Sequence, residues 1–231
     1  MTVSVVIAAL AVLLAVGALV ALAILALRLA DRDATTRPDG PPRPEIGRRR
    51  TRRPTRLERG AEGEAIVNRV LADLDPTVYV VRRNLWLPHE RAPDGKTEID
   101  HLVVSVAGID VIETKNWRGD ISGTTGARSW TVHFPDGTSE DRANPIRQNE
   151  IHRQAVADAA DVTLSKVAGI VVMTGPGRVP PELHVGNVIY PAELQARIGQ
   201  HAGRGLTPEE IQRVVAALDA AVVSPRRPVD P

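Results

Sequence analysis

The sequence predicts an α/β fold: a central β-sheet with helices on its faces, preceded by one N-terminal transmembrane helix. Three observations lead there. Every residue from Val5 to Leu27 is apolar or Gly, which satisfies the roughly 20 residues needed to cross hydrocarbon. Residues 31–58 combine Pro38, Pro41, Pro42, Pro44 and Pro54 with eleven nearby Arg and almost nothing to bury, the composition of a disordered tether. Beyond Leu57 the apolar spacing runs helix, strand, strand, strand, helix, strand and then further α/β elements, and such an order packs most economically as a sheet covered by helices.

The chain of 231 residues suits one medium domain plus attachments. It has no Cys, which excludes a disulfide scaffold, a thiolate zinc site and a Cys nucleophile. Residues 28–59 hold eleven Arg against five acids. Residues 60–231 must then carry −5 for the chain to total +1, and a mildly acidic globular part argues against coating nucleic acid through a broad basic surface. The expected organisation is a transmembrane helix (1–29), an Arg/Pro-rich juxtamembrane linker (30–58), the main domain (59–200), and a C-terminal helix with a loose tail (201–231).

The apolar run reads as a retained anchor at the cell membrane. A buried core helix is rarely apolar on all faces for so long, and a cleaved signal peptide usually opens with basic residues. Arg28 follows the run directly and the Arg cluster lies beyond it. The excess of positive charge marks the cytoplasmic side, so the N-terminus is placed outside and the soluble domain in the cytoplasm, with Arg48–Arg53 held near anionic lipid.

Gly60–Leu74 carries Ile66, Val67, Val70, Leu71 and Leu74 at helical spacing. Val78–Leu87 is a strand and His89–Lys96 a loop. The runs Ile99–Val106 and Ile109–Lys115 form a hairpin about Ala107-Gly108. Gly119–Gly126 is turn-rich, Trp130–Phe134 is a short strand, and Pro145 opens a helix reaching about Leu164. Val167–Met173 and Val185–Tyr190 read as strands. Pro191–Ile198 and Thr207–Val222 read as helices, the second capped by Thr207 with Glu210 three residues on.

The chemistry lies in the hairpin. Side chains alternate faces along a strand. With Val106 opposed to Ile109, Asp100 falls opposite Lys115 and Leu102 opposite Glu113, and Asp100, Glu113 and Lys115 share one face. Burying such charge is costly unless it is paired or bound to metal. Two acids at close range suit a hard cation such as Mg²⁺, able to polarise a phosphoryl oxygen and activate water, with Lys115 neutralising added charge. The plain alternative is a solvated face with an ordinary Asp–Lys pair.

Four motifs resemble the NERD (nuclease-related) domain: Gly60-Ala61-Glu62-Gly63-Glu64, Glu98-Ile99-Asp100-His101, Gly108-Ile109-Asp110-Val111-Ile112-Glu113-Thr114-Lys115-Asn116 and Asn144-Pro145-Ile146-Arg147-Gln148. They occur in the family's order over 60–148. The resemblance covers about 59–175 and implies the PD-(D/E)XK nuclease-like superfamily, with a mixed, restriction-endonuclease-like sheet flanked by helices. It implies Asp100, Glu113 and the Thr114 carbonyl as ligands of Mg²⁺ (or Mn²⁺), Lys115 as the phosphate- or water-positioning group, Glu64 as a helical acid at the site, and Gln148 facing the same site.

Other residues have plainer readings. His101 and Asp110 fall on the opposite face by parity, His101 as a packed or hydrogen-bonded residue. Trp117 and Trp130 could stack on a base, but near turns they more often cover a core edge. His152 lies one turn beyond Gln148 and is a candidate substrate contact. The expected function is a membrane-anchored, metal-dependent nuclease hydrolysing phosphodiester bonds, with DNA as partner. The alternative is a catalytically silent, membrane-tethered module binding nucleic acid or protein through the same cleft.

Overall fold

Thr55 starts the first helix. Its hydroxyl accepts the Glu58 amide at 3.2 Å while the Glu58 carboxylate accepts the Thr55 amide at 2.6 Å, a reciprocal cap that satisfies two otherwise orphaned donors. Helix α1 therefore runs Arg56–Ala72, and its first turn is drawn from residues that composition assigns to the linker. The computed structural model describes residues 54–92, 94–184, 187–200 and 205–224. The expected transmembrane helix and lipid-facing Arg48–Arg53 lie outside these residues, as does the tail after 224. No helix among the described residues is long and apolar enough to cross a membrane.

Three antiparallel strands follow, β1 (Val80–Pro88), β2 (Lys96–Ser105) and β3 (Gly108–Lys115). A second sheet of β4 (Asp120–Ser122), β5 (Ser129–His133) and β6 (Ser139–Ala143) comes next, then α2 (Pro145–Ala160) and β7 (Val167–Met173). The short α3 (Pro181–His184), β8 (Val188–Ile189), α4 (Leu194–Arg197) and the longer α5 (Pro208–Ala221) complete the chain. The main sheet has the order β1-β2-β3-β7-β8. It is antiparallel through β3 and parallel from β3 to β8, so it is mixed as expected.

Alternation places the two faces in separate cores. Leu102 and Val104 of β2 with Ile109 and Val111 of β3 pack against Ala155 and Val156 of α2 and Val214 and Leu218 of α5. Val103, Ile112, Ile170 and Val172 point the other way, against Val67 and Leu71 of α1 and Leu194 of α4. Each fully buried aliphatic side chain contributes about 1.5–3 kcal/mol. The terminal helix thus belongs to the same core as the sheet, although its sequence sets it apart as 201–231. Thr207 caps it with Glu210, as read.

The hairpin register departs from the expectation. Ser105 pairs with Gly108 and His101 with Ile112, so the turn residues are Val106 and Ala107. Leu102 faces Val111 rather than Glu113, and continuing the register sets Asp100 level with Glu113 rather than Lys115. Gly108 has φ of 132°, which a side chain would resist, and the Ser105 hydroxyl accepts the Ala107 amide at 3.2 Å. These features fix the turn one residue earlier. The pairing shifts by two residues, so face parity survives.

Helix α2 and the small sheet also depart from the expectation. Helix α2 stops at Ala160 because Asp161 takes a left-handed conformation, φ 50°, four residues short of Leu164. β6 (Ser-Glu-Asp-Arg-Ala) carries no alternating apolar signal, because it lies at the edge of the small sheet. There Trp130 is fully buried, edge-on to Trp117 at 6.4 Å, with its indole N–H donated to the Thr124 carbonyl at 2.8 Å. Both tryptophans are core residues of this sheet.

Candidate functional site

The site forms where β2 and β3 part. In the β1–β2 ladder Arg83 pairs with His101 and Leu85 with Ile99, and the β2–β3 ladder ends at His101 and Ile112, so Asp100 is skipped on both sides. Asn84, between the two β1 partners, has φ of 51°. The Thr114 amide, beyond the reach of the ladder, donates to Asp100 Oδ2 at 2.8 Å. On its other edge β3 continues to pair with β7 as far as Lys115 and Met173. The strand end carrying Glu113-Thr114-Lys115 is thus held by β7 while its Asp100 side is open.

Glu113 extends the row of Ile109 and Val111 and is 1% exposed. Lys115 forms an ion pair with its Oε1. His152 of α2 lies with Nδ1 3.2 Å from Oε2, off the line of a good hydrogen bond, leaving both of those buried atoms without a hydrogen-bonding partner among the described residues. Burial would raise the Glu113 pKa, but Lys115 and His152 together hold it below the ordinary carboxylate value. Asp100 goes the other way. Burial and the neighbouring Glu113 charge push it up to about 8, against the Thr114 amide and Lys115. Two nearby carboxylates are thereby split, one ionised and one protonated at neutral pH.

Glu64 of α1 is half-buried and near enough for its charge to raise both Asp100 and Glu98. The close approach of α1 depends on Gly63, where a Cβ would lie 2.8 Å from Thr174 Oγ1 and 3.3 Å from Thr114 Cγ2. Glu98 precedes Asp100 by two residues on the same strand face, and burial followed by Glu64 and Glu113 raises its pKa. In the sequence, the i, i+2 spacing of Glu98 from Asp100 is the one signal of its place at the site.

Gln148 does not join the carboxylates through a hydrogen bond among the described residues. It lines a separate cleft beside α2. The helix instead presents His152 to Glu113, and Asn149 donates from Nδ2 to the Val111 and Ile170 carbonyls at 3.1 and 3.0 Å. Asn149 escaped the sequence reading, and only its position four residues after Pro145 hinted at an inward face. Gly169 makes room for it: a Cβ there would sit 3.0 Å from Asn149 Nδ2. His101 and Asp110 lie on the opposite face as expected, His101 Nε2 3.1 Å from Asn68 Oδ1 and Asp110 accepting the Gly199 amide at 3.0 Å. Burial, then Arg83, holds His101 down at about 4.

The donors at this strand end are hard oxygens. Among the described residues no three His, Asp or Glu side chains are gathered so as to hold a metal ion by themselves. The set fits Mg²⁺, which takes one or two carboxylates and retains water, and the buried Glu113 Oε2 without a hydrogen-bonding partner is consistent with that use.

Residues 59–174 match the family model described as the nuclease-related domain, NERD. The chain belongs to this family. An uncharacterised protein of Bacillus anthracis is 32% identical over 158 residues, covering 68% of this chain and 73% of that protein. No solved structure matches the chain.

Proposed function

We propose that the domain hydrolyses phosphodiester bonds in DNA with a divalent cation, held at the cytoplasmic face of the membrane by residues 5–27. The observation that carries this reading is the placement of Asp100 and Glu113 on one sheet face, with Asp100 held by the Thr114 amide and Lys115 tied to Glu113. Asp100, Glu113 and the Thr114 carbonyl would hold Mg²⁺ or Mn²⁺, which supplies Lewis-acid polarisation of the phosphoryl oxygen and a more acidic water. The chain's own groups do the rest. The Thr114 amide fixes the Asp100 carboxylate. Lys115 stands beside the acids with its side chain 20% exposed, placed to neutralise charge building on a phosphoryl group. His152 braces Glu113 from α2, and Glu64 adds negative potential that favours a cation.

Incubation of the full chain with Mg²⁺ or Mn²⁺ and linear, circular and single-stranded DNA tests this. Cleavage that disappears in Asp100→Ala and falls strongly in Lys115→Ala supports it. Absence of cleavage of every form, with DNA binding equal in parent and Asp100→Ala, favours the silent binding module. The net −5 of residues 60–231, unfavourable for tight unaided DNA binding, is the observation on that side. A reporter at the C-terminus that is active only outside the cell removes the cytoplasmic placement.

A further inference from the structure

A second cleft, of about 630 Å³, opens beside the N-terminal half of α2 and is lined in part by His89, Arg91, Arg128, Arg147 and Gln148. This volume is in the range of ligand sites. Arg91, Arg128 and Arg147 are exposed, and no side-chain hydrogen bond or ion pair engages them among the described residues. Several arginines elsewhere are committed, Arg56 and Arg142 to Glu140, Arg82 to Asp219, and Arg153 to Glu150, whereas these three converge on one cleft. Glu150 is the acid in the cleft wall, and Arg153 already offsets it. Among the described residues, no ion pair neutralises the three guanidinium groups around this concavity.

His89 adds an independent sign. It is 8% exposed, yet its Nε2 is buried without a hydrogen-bonding partner among the described residues. A buried polar nitrogen of this kind is costly to leave unmade; His89 lines the cleft, and a turn of its ring that brings Nε2 to a bound oxygen would satisfy it. Arg forks match phosphate oxygens in shape and charge. Gln148, in the cleft wall, stands one helical turn before His152, which touches Glu113, so an anion bound here lies along α2 from the carboxylate site.

We propose that this cleft binds backbone phosphates of a nucleic-acid strand and guides it toward Asp100 and Glu113. The identity of the strand rests on the nuclease reading, whereas the phosphate site itself does not.

The full chain, purified in mild detergent with EDTA to prevent cutting, is titrated with a short fluorescent single-stranded oligonucleotide over a range of salt, and separately with inorganic phosphate. The Arg91→Gln/Arg128→Gln/Arg147→Gln variant is expected to weaken oligonucleotide binding at least tenfold and to reduce the salt slope by about 2, given ~0.7 per phosphate contact on a single strand. The corresponding triple Lys variant keeps the slope, which separates charge from folding. Arg69→Gln, on the exposed face of α1, binds as the parent. Phosphate binding that is lost in the Gln variant, with no oligonucleotide binding by the parent, supports the phosphate site with a free anion as its source. Equal affinity and slope in parent and Gln variant, or no binding of either ligand by the parent, overturns the proposal. Cleavage assayed separately with Mg²⁺ keeps the two readings apart, because a slope change without cleavage sinks the hydrolytic reading alone.

Discussion

The Thr114 amide donates to the Asp100 carboxylate at 2.8 Å, just beyond the last main-chain pair between β2 and β3, His101 with Ile112. A side chain has taken over the place of a ladder bond. Where the main-chain pairing ends, one of the two acids accepts a β3 amide, and the other, Glu113, lies beside that amide on β3.

The Asp100 proton has a measurable consequence for stability. An unfolded Asp titrates near 3.9, whereas burial and Glu113 push the folded group up to about 8. Between these values the folded chain retains a proton the unfolded chain has lost, so stability falls as pH rises through the window and the loss is complete above about 8. Asp100→Asn removes this term. In metal-free buffer the variant should gain on the parent by roughly a few kcal/mol between pH about 5 and about 9, measured by urea unfolding. An unchanged difference across the range contradicts the raised pKa. Magnesium affinity should run the opposite way in the parent, rising with pH as the proton is displaced.

Removing Lys115 strands a buried charge. Glu113 is 1% exposed with Lys115 on one oxygen, and breaking such a pair from one side costs about 3–5 kcal/mol. Lys115→Met should destabilise at the lower end of that range, since the lysine is partly exposed. The double variant Glu113→Gln/Lys115→Met should recover most of the loss. Strict additivity in a double-mutant cycle would show that the two side chains do not interact.

Asn149 joins helix α2 to two strands at once through the Val111 and Ile170 carbonyls. Asn149→Ala should lose about 2–3 kcal/mol, the sum of two modest hydrogen bonds and the desolvation of their acceptors. Thermal unfolding read by circular dichroism gives the number. A loss below ~0.5 kcal/mol would mean that water replaces the amide freely.

Two glycines of one helix make a matched pair. At Gly63 a Cβ would lie 2.8 Å from Thr174 Oγ1 and 3.0 Å from Asn116 Cβ, while at Gly60 the nearest contact is Glu64 Oε1 at 3.9 Å. Gly63→Ala should therefore cost about 1–3 kcal/mol through overpacking and shift Glu64 away from the acids. Gly60→Ala should be neutral or stabilise by up to ~1 kcal/mol, as expected for Gly→Ala within a helix. Equal melting temperatures for the two variants would show that α1 does not depend on a close approach at Gly63.

The elements with strong local periodicity were readable in order. Val167–Met173 was found to the residue because a buried parallel strand is a continuous apolar run, and the Thr207–Glu210 cap was found because its chemistry is local. The face shared by Asp100, Glu113 and Lys115 was also legible, because alternation survives a shift of two residues. The edge strand Ser139–Ala143 was not, since its side chains bury too little to leave a pattern.

The sequence by itself determined the acids, their common face and the membership in a nuclease-related family, because period-two alternation and motif order are properties of the chain alone. Tertiary structure decided which acid stands beside which, that His152 rather than Gln148 touches Glu113, that Asn149 ties α2 to the sheet, and that one carboxylate keeps its proton. These depend on where β2 leaves β3 and on how closely α1 and α2 approach it. Burial and distances between elements remote in sequence set them, and no local spacing encodes those.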